Sequence, residues 1–528
     1  MQQICQKIAI LLQKGAVFCQ KCGIIPLESK LLGKDVKQGR TKMASIKKNC
    51  DENFVENNAK CRCKKQNNAQ KSKKVREGNL SRRKRERIEY INSVEYKVSK
   101  LANQQKNYKN WYKLDNAALM YPFTASNTSN SIFRMSVQLD EAVDALRLQQ
   151  AINDVYPRFP TICGAVKNGL FWPYIDKPSY PIVATLQKKL PCRPLEMDGK
   201  RSNLRVTYFH HEISIEIFHS ATDGTGALTF FNTLLKRYFE LAGEQIVDQT
   251  NCLDHRDLPS QEELRDNFRA IAIRKNPPPL PKQIKSVRFC GKPLADGLFV
   301  TRRGTCDANQ LREVAQKYNA TVTQLLGAVQ LMALDHFRKV TASDSKYPVR
   351  VLVPVNLRKI YDVDTLRNFS SYIFYQYNGQ STLEEVIADI KKQAADQTCD
   401  SYFRGMVSYN FNSGNHPLLK IVPVGIKHMA VSAVCRRMGD GVVNCATLSN
   451  VGVVRAPAEF AKHVLRYEFQ LGKPMRKTIN FAVATYNGFC TICVGNSFAE
   501  TDCERYFFTK LAELGVDVVV ESDIVEGL

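Results

Sequence analysis

No apolar run in the sequence approaches the roughly 18–20 residues that a membrane-spanning helix needs. The longest early run, residues 8–12, lies between Lys7 and Lys14. It is too short for the core of an export signal, and no small-residue cleavage site follows it. Cysteine is plentiful at 17 residues, but the number is odd and the spacing shows no repeating framework. Without an export signal these read as reduced thiols, and a cytoplasmic protein is the expectation. At 44% hydrophobic and 9% aromatic, a chain of 528 residues can bury sizeable cores. Disorder throughout is therefore excluded, and either several domains or one large two-lobed domain is expected.

The formal charge of +25 suggests nucleic acid until it is partitioned. Residues 1–110 hold 27 Lys and Arg against 9 Asp and Glu; residues 111–528 hold 49 against 42. The excess thus sits mostly in the first fifth, which carries the runs Lys71-Ser-Lys-Lys-Val-Arg76 and Arg82-Arg-Lys-Arg-Glu-Arg87. Little apolar periodicity appears there before 88–98, which reads as one charged helix. The stretch 1–110 reads as a basic, largely disordered extension. Any contact it makes with nucleic acid or an anionic surface would be to phosphates, without sequence specificity. It also contains Cys19-Gln-Lys-Cys22, half of a zinc knuckle; Cys50, Cys61 and Cys63 do not complete a second one, so no metal is expected. A later start such as Met43 is equally compatible with this region.

From Trp111 the texture alternates between strands and helices. Strands are expected at 132–139, 204–209 and 213–218, the last two joined by a turn at His210-His211-Glu212. Helices are expected at 140–155, stopped by Pro157, and after the loop 219–226, with Gly243 closing the second. A Pro-rich connector spans 275–297. Beyond it, strands are expected at 297–301, 349–355, 370–377, 443–448, 478–486 and 489–494. Helices are expected at 307–318, opened by Asp307 and Gln310 as a capping box, and at 323–337 and 499–514. The fold class is α/β in two lobes, 111–285 and 286–528. Cys490 and Cys493 have knuckle spacing, but a strand points them to opposite faces, which argues against joint chelation.

Chemistry concentrates in His219-Ser-Ala-Thr-Asp223-Gly224, directly after an expected strand. An imidazole is suited to take a proton from a hydroxyl or amine near neutral pH. The acid four residues on can brace the loop or cap the next helix, and the glycine permits a tight turn. With eight histidines in the chain, chance would give this pattern about 0.02 times.

His219–Gly224 resembles the His-x-x-x-Asp-Gly signature of the CoA-dependent acyltransferase superfamily. That group includes chloramphenicol acetyltransferase, plant BAHD acyltransferases, peptide-synthetase condensation domains and alcohol acetyltransferases. Other segments resemble the family in the right order over residues 111–528. They are Trp111-Tyr-Lys-Leu-Asp115 through Pro122, Arg158-Phe-Pro160, Val353-Pro-Val-Asn-Leu-Arg358, Asn368-Phe369, and Ser449-Asn450-Val-Gly452.

The resemblance implies two chloramphenicol-acetyltransferase-like lobes with a tunnel between them. It implies His219 as general base, Asp223 and Gly224 as its motif partners, and Arg358 as the arginine that pairs with Asp223. Asn368, Ser449 and Asn450 are implied as tunnel or oxyanion residues. No bound cofactor is implied; acyl-CoA is a co-substrate and a small alcohol the acceptor. Phe218, where condensation domains carry a second histidine, favours the alcohol-acetyltransferase type, and the plant DFGWG motif is absent. Two alternatives stay open. One is a condensation-like enzyme with a carrier-bound donor or an amine acceptor. The other is an inactive fold that binds through its basic extension.

Overall fold

A computed structural model describes residues 86–103, 105, 111–125, 131–280, 284–294, 299–343, 346–380, 382–437, 444–473 and 478–522. The Cys19–Cys22 pair and most of the basic extension lie outside them. Of the described residues, those from 95 onward belong to one compact unit and 86–94 to another.

The chain joins the larger unit before Trp111. A helix spans 86–102, and within it Val98 and Ala102 are fully buried. Asn153 Nδ2 donates to Leu101 O at 2.9 Å. Gln105 clamps Ile182 from both sides of its amide, donating to its carbonyl at 2.7 Å and accepting from its N–H at 3.1 Å.

Two main sheets organise the unit. The first runs, edge to edge, Val464–Leu471, Ile132–Leu139, Glu212–Phe218, Leu204–Phe209 and Ala184–Leu186. The second runs Ser370–Gln376, Arg350–Asn356, Ala446–Val453, Ile479–Tyr486, Phe489–Asn496, Val300–Asp307 and Val518–Ser522. A third, small sheet pairs Tyr112–Lys113 with Pro173–Asp176 and Ala165–Asn168. The architecture is therefore mixed α/β, built on two large sheets. The halves are not cleanly sequential: Val464–Leu471, from the C-terminal half, is the edge strand of the N-terminal sheet, antiparallel to Ile132–Leu139. Tyr467 Oη anchors it by donating to Asn232 Oδ1 at 2.9 Å.

Glu212–Phe218 occupies the middle of its sheet and is almost wholly buried. Ile213, Ile215 and Ile217 share one face. On the other, Glu216 pairs with Arg134 at 3.0 Å and with Arg205. Arg134 also reaches Glu212, Gln187 and Ser214, so these buried charges are matched. A strand pinned on both edges gives His219, the next residue, a rigid base.

The helix starts are set by side-chain caps. Asp144 caps Ala145–Val155, Asp307 caps Ala308–Lys317, and Thr321 with Gln324 forms a full capping box on Val322–Val340. At Asp307 only half of the expected box forms, because Gln310 turns to Asp517 instead. The largest core surrounds the helix Val322–Val340, which packs against Leu383–Gln397 and Asp502–Glu513. The helices Leu383–Gln397, Asp400–Gly414 and Val424–Arg437 and the strand Val464–Leu471 have no counterpart in the sequence reading. Among the described residues, no helix is long and apolar enough to cross a membrane.

Candidate active site

His219 leaves its strand at a turn, with its backbone N–H bonded to Ser131 O at 2.7 Å. Tyr121 stacks on the imidazole at 4.8 Å and 21°, and Phe133 meets it edge-on at 5.1 Å. The ring is thus held between two aromatic side chains, and hydrogen bonds fix its protonation pattern. Asn368 Nδ2 lies 3.1 Å from two oxygens, Asp115 Oδ2 and His219 O. Turning the amide over would set its oxygen against both, so Oδ1 is the atom that faces His219 Nδ1, at 3.1 Å. An oxygen there requires Nδ1 to carry the hydrogen. Nε2 is left as the basic nitrogen of a ring that walls a cavity of about 630 Å³.

Asp223 performs two tasks at once. Its Oδ1 accepts from Thr225 N at 3.2 Å and Gly226 N at 3.3 Å, capping the helix Gly224–Glu240. Its two oxygens also take a forked ion pair from Arg358, at 2.8 and 3.0 Å, and Phe369 N donates at 2.9 Å. Burial works to raise this carboxyl's pKa. Arg358 and the backbone donors outweigh it and hold the group below the ordinary carboxylate range.

The segment 365–369 is the frame against which the motif is set. Thr365 O and Arg367 O accept from Arg358 at 2.8 and 2.6 Å, and Leu366 O accepts from Thr222 Oγ1 at 2.6 Å. The frame is itself tied down, with Leu366 N and Thr365 Oγ1 on Glu263 O at 2.9 and 3.1 Å. Glu263 in turn is forked by Arg158 at 2.6 and 2.7 Å. The Arg158-Phe-Pro160 element thereby acquires a physical role: it braces the frame from the other half of the chain.

The glycine expectation shifts by two residues. Gly224 walls the cavity, and a Cβ there would meet nothing closer than Val451 at 3.4 Å. Its φ is not positive, so no tight turn depends on it. Gly226 is the constrained position, since a Cβ would strike Thr222 Oγ1 and approach Leu366 O to 2.5 Å.

Asn368, Ser449 and Asn450 all wall the cavity. Asn368 commits its amide to Asp115 and His219 rather than to a substrate oxygen. Ser449 and Asn450 lie in the strand Ala446–Val453, which bulges between Asn450 and Val453 beside Gly452 at φ +75°. Asn450 supports the bulge by accepting from Gly452 N at 2.8 Å and donating to Thr323 at 3.0 Å. The cavity wall therefore draws on both main sheets, with Ile132, Phe133 and His219 from one side and Leu352, Ser370 and Ser449 from the other. Cys490 and Cys493 are buried within a strand, and no group of three metal-binding side chains occurs among the described residues.

Asp115, Tyr121 and Phe133 are site residues that pattern reading did not single out. Asp115 had a visible signal: it is the one acidic side chain in the stretch 114–125, and the structure buries it completely.

No protein-family model matches the chain, and a search of curated proteins finds no match. Among solved structures it is similar to the polyketide synthase associated protein 5 from Mycobacterium tuberculosis, with TM-score 0.48, 12% identity and coverage of 76% of this chain and 97% of that one. It is also similar to the first condensation domain of the CDA synthetase, at TM-score 0.49, 14% identity and coverage of 77% and 97%. A third is the wax ester synthase/diacylglycerol acyltransferase from Marinobacter aquaeolei VT8, at TM-score 0.43, 13% identity and coverage of 76% and 98%. Likeness of that degree decides nothing about chemistry, which has to be read from the side chains.

Proposed function

We propose that the protein is an acyltransferase of the alcohol O-acetyltransferase type, moving a short acyl group from acyl-CoA to an alcohol hydroxyl. The observation that carries this reading is the Asp115–Asn368–His219 chain, which selects the Nδ1–H tautomer and leaves Nε2 as the basic nitrogen of a ring that lines the cavity. Nε2 takes the proton as the acceptor oxygen attacks the thioester carbonyl carbon. The carbonyl electrons move to oxygen, and Ser449 and Asn450 are the polar groups assigned to that oxyanion. Collapse breaks the C–S bond. The thiolate then recovers the proton from the imidazolium, giving ester and free thiol. Asp223 and Arg358 take no part in proton transfer; they fix the loop that presents the ring.

Thiol release from acyl-CoAs in the presence of a panel of alcohols tests the reading. His219→Ala is expected to lower kcat/KM by about 10²–10⁴-fold while leaving the fold intact. Equal thiol release by variant and wild type would remove His219 from the reaction. Transfer only from a carrier-bound pantetheine thioester, or only to amines, would replace the reading with a condensation-like one.

A further inference from the structure

Lys427 lies on the helix Val424–Arg437 and lines the same cavity as His219. Its side chain is only 3% exposed. The ammonium donates to Phe171 O at 2.5 Å and sits 3.4 Å from the centre of the Trp172 ring. Around it the wall is apolar, where Phe123, Leu419 and Val431 form a small core with Trp172 against it. Among the described residues no carboxylate pairs with it, and burial alone pushes the amine down to about 8. Of the cavity's other ionising side chains, Asp223 is already matched by Arg358. Lys427 is thus a buried cation among the cavity walls whose charge no described carboxylate balances.

Lysines buried this deeply are rare unless paired. A carbonyl and an aromatic face orient the ammonium without neutralising it, and three hydrogens exceed the one hydrogen-bond acceptor among the described residues. Resting on the acyl-transfer reading, we propose that Lys427 binds a carboxylate on the acceptor, so that the acceptor is a hydroxy acid with an apolar body. Its hydroxyl would be presented to His219 and its carboxylate to Lys427. The charge of the site fits that choice over the donor's phosphates. One buried ammonium matches a single negative charge, whereas the several charges of CoA call for more cations than the described residues of this wall provide.

Two measurements on the full-length chain test this, one of binding and one of turnover. Titration calorimetry with an aliphatic hydroxy acid and with its methyl ester should show tighter binding of the acid. Lys427→Met should weaken the acid by about 10- to 100-fold and leave the ester unchanged, with Lys427→Arg restoring part of the difference. In turnover, the variant should raise KM for the acid without altering KM for acyl-CoA. Equal binding of acid and ester by the wild type overturns the proposal. So does a Lys427→Met effect that follows acyl-CoA but vanishes with the phosphate-free acyl-pantetheine, because the anion would then belong to the donor. Charge-dependent binding without thiol release would instead overturn the acyl-transfer reading and leave the anion site standing.

Discussion

Asp115 and Asp223 stand on either side of the same histidine, both buried and both beside an arginine, yet their carboxyls shift in opposite directions. Burial pushes both up. At Asp223 the opposing interactions are close and numerous: a forked Arg358 at 2.8 and 3.0 Å, Phe369 N at 2.9 Å and two capping N–H groups. At Asp115 they are fewer. Arg367 approaches no nearer than 3.5 Å and spends Nη2 on Lys113 O, leaving Ala118 N at 2.7 Å and Asn368, through its side chain at 3.1 Å and its backbone N–H. The first site is a structural rivet and the second a tuned acceptor. What separates them is the number and fit of donors, since burial is the same. Their pH dependence follows. Asp223 contributes stability above its unfolded pKa, near 3.9, and loses it as pH falls through its lower folded value. Asp115 does the reverse: its penalty grows as pH rises from about 4 through its elevated folded pKa.

Removing the rivet should have the largest consequence. Asp223→Ala leaves Arg358 buried without its partner and strips the helix Gly224–Glu240 of its cap. The expected loss is about 3–5 kcal/mol in urea unfolding, with acyl transfer abolished alongside. If Asp223→Ala unfolds like the wild type but is inactive, the carboxylate belongs to the chemistry and the contrast with Asp115 collapses.

The tuned side should act on rate before stability. Asn368→Ala removes the oxygen that fixes Nδ1–H, and kcat should fall on the order of 10²-fold with KM nearly constant. Asp115→Asn keeps Asn368 in place but gives up part of the carboxylate's accepting capacity, so kcat should fall by about 5-fold. Asp115→Asn should also be relatively more stable at pH 7 than at pH 4 when compared with wild type, because it removes a penalty that grows with pH. A Asp115→Asn variant whose pH–rate profile and pH–stability difference both match wild type would show that Asp115 does not act through Asn368.

What could be seen in advance divides along the same line. Local signals were partly legible: Asp307 caps its helix as spacing places it, and the strands 204–209 and 213–218 differ from the observed ones by at most one residue. The helix expected from 140, by contrast, starts only at Ala145 behind Asp144, and Gly243 stands two residues past the cap Leu241. The Asp223–Arg358 pair crosses 135 positions of sequence, and only the motif resemblance brought its two ends together. Asp115 and Asn368 are 253 positions apart, and neither periodicity nor spacing couples them. The helices between 383 and 437 escaped notice although local signals mark them: Thr382 and Glu385 form a capping box, Gly414 closes one helix, and Pro417 and Pro423 stand at the starts of the next two. Lys427 lay within that blind stretch. The strand Val464–Leu471 does alternate, with apolar side chains at 465, 467, 469 and 471, but its place beside Ile132–Leu139 at the far end of the chain is not local information.

The smallest effect on rate is expected from Asp266, whose charge acts on Asp115. Burial and the charge of Asp115 push its carboxyl up to about 6, against the pull of Arg367. Two carboxylates therefore draw on one guanidinium, which is why neither is held as Asp223 is. With a folded pKa above the unfolded one, Asp266 favours the native state at low pH, and that contribution is lost as pH rises from about 4 through about 6. In Asp266→Asn the side-chain oxygen can still accept from Phe268 N, bonded at 3.1 Å in the native chain. The variant should therefore come close to wild type near pH 4 and gain relative to it as pH rises to 7, by up to about 3 kcal/mol in urea unfolding. A wild type and variant with parallel pH–stability curves would mean that the second carboxylate is irrelevant. The opposite shifts of Asp115 and Asp223 would then rest on donor count alone.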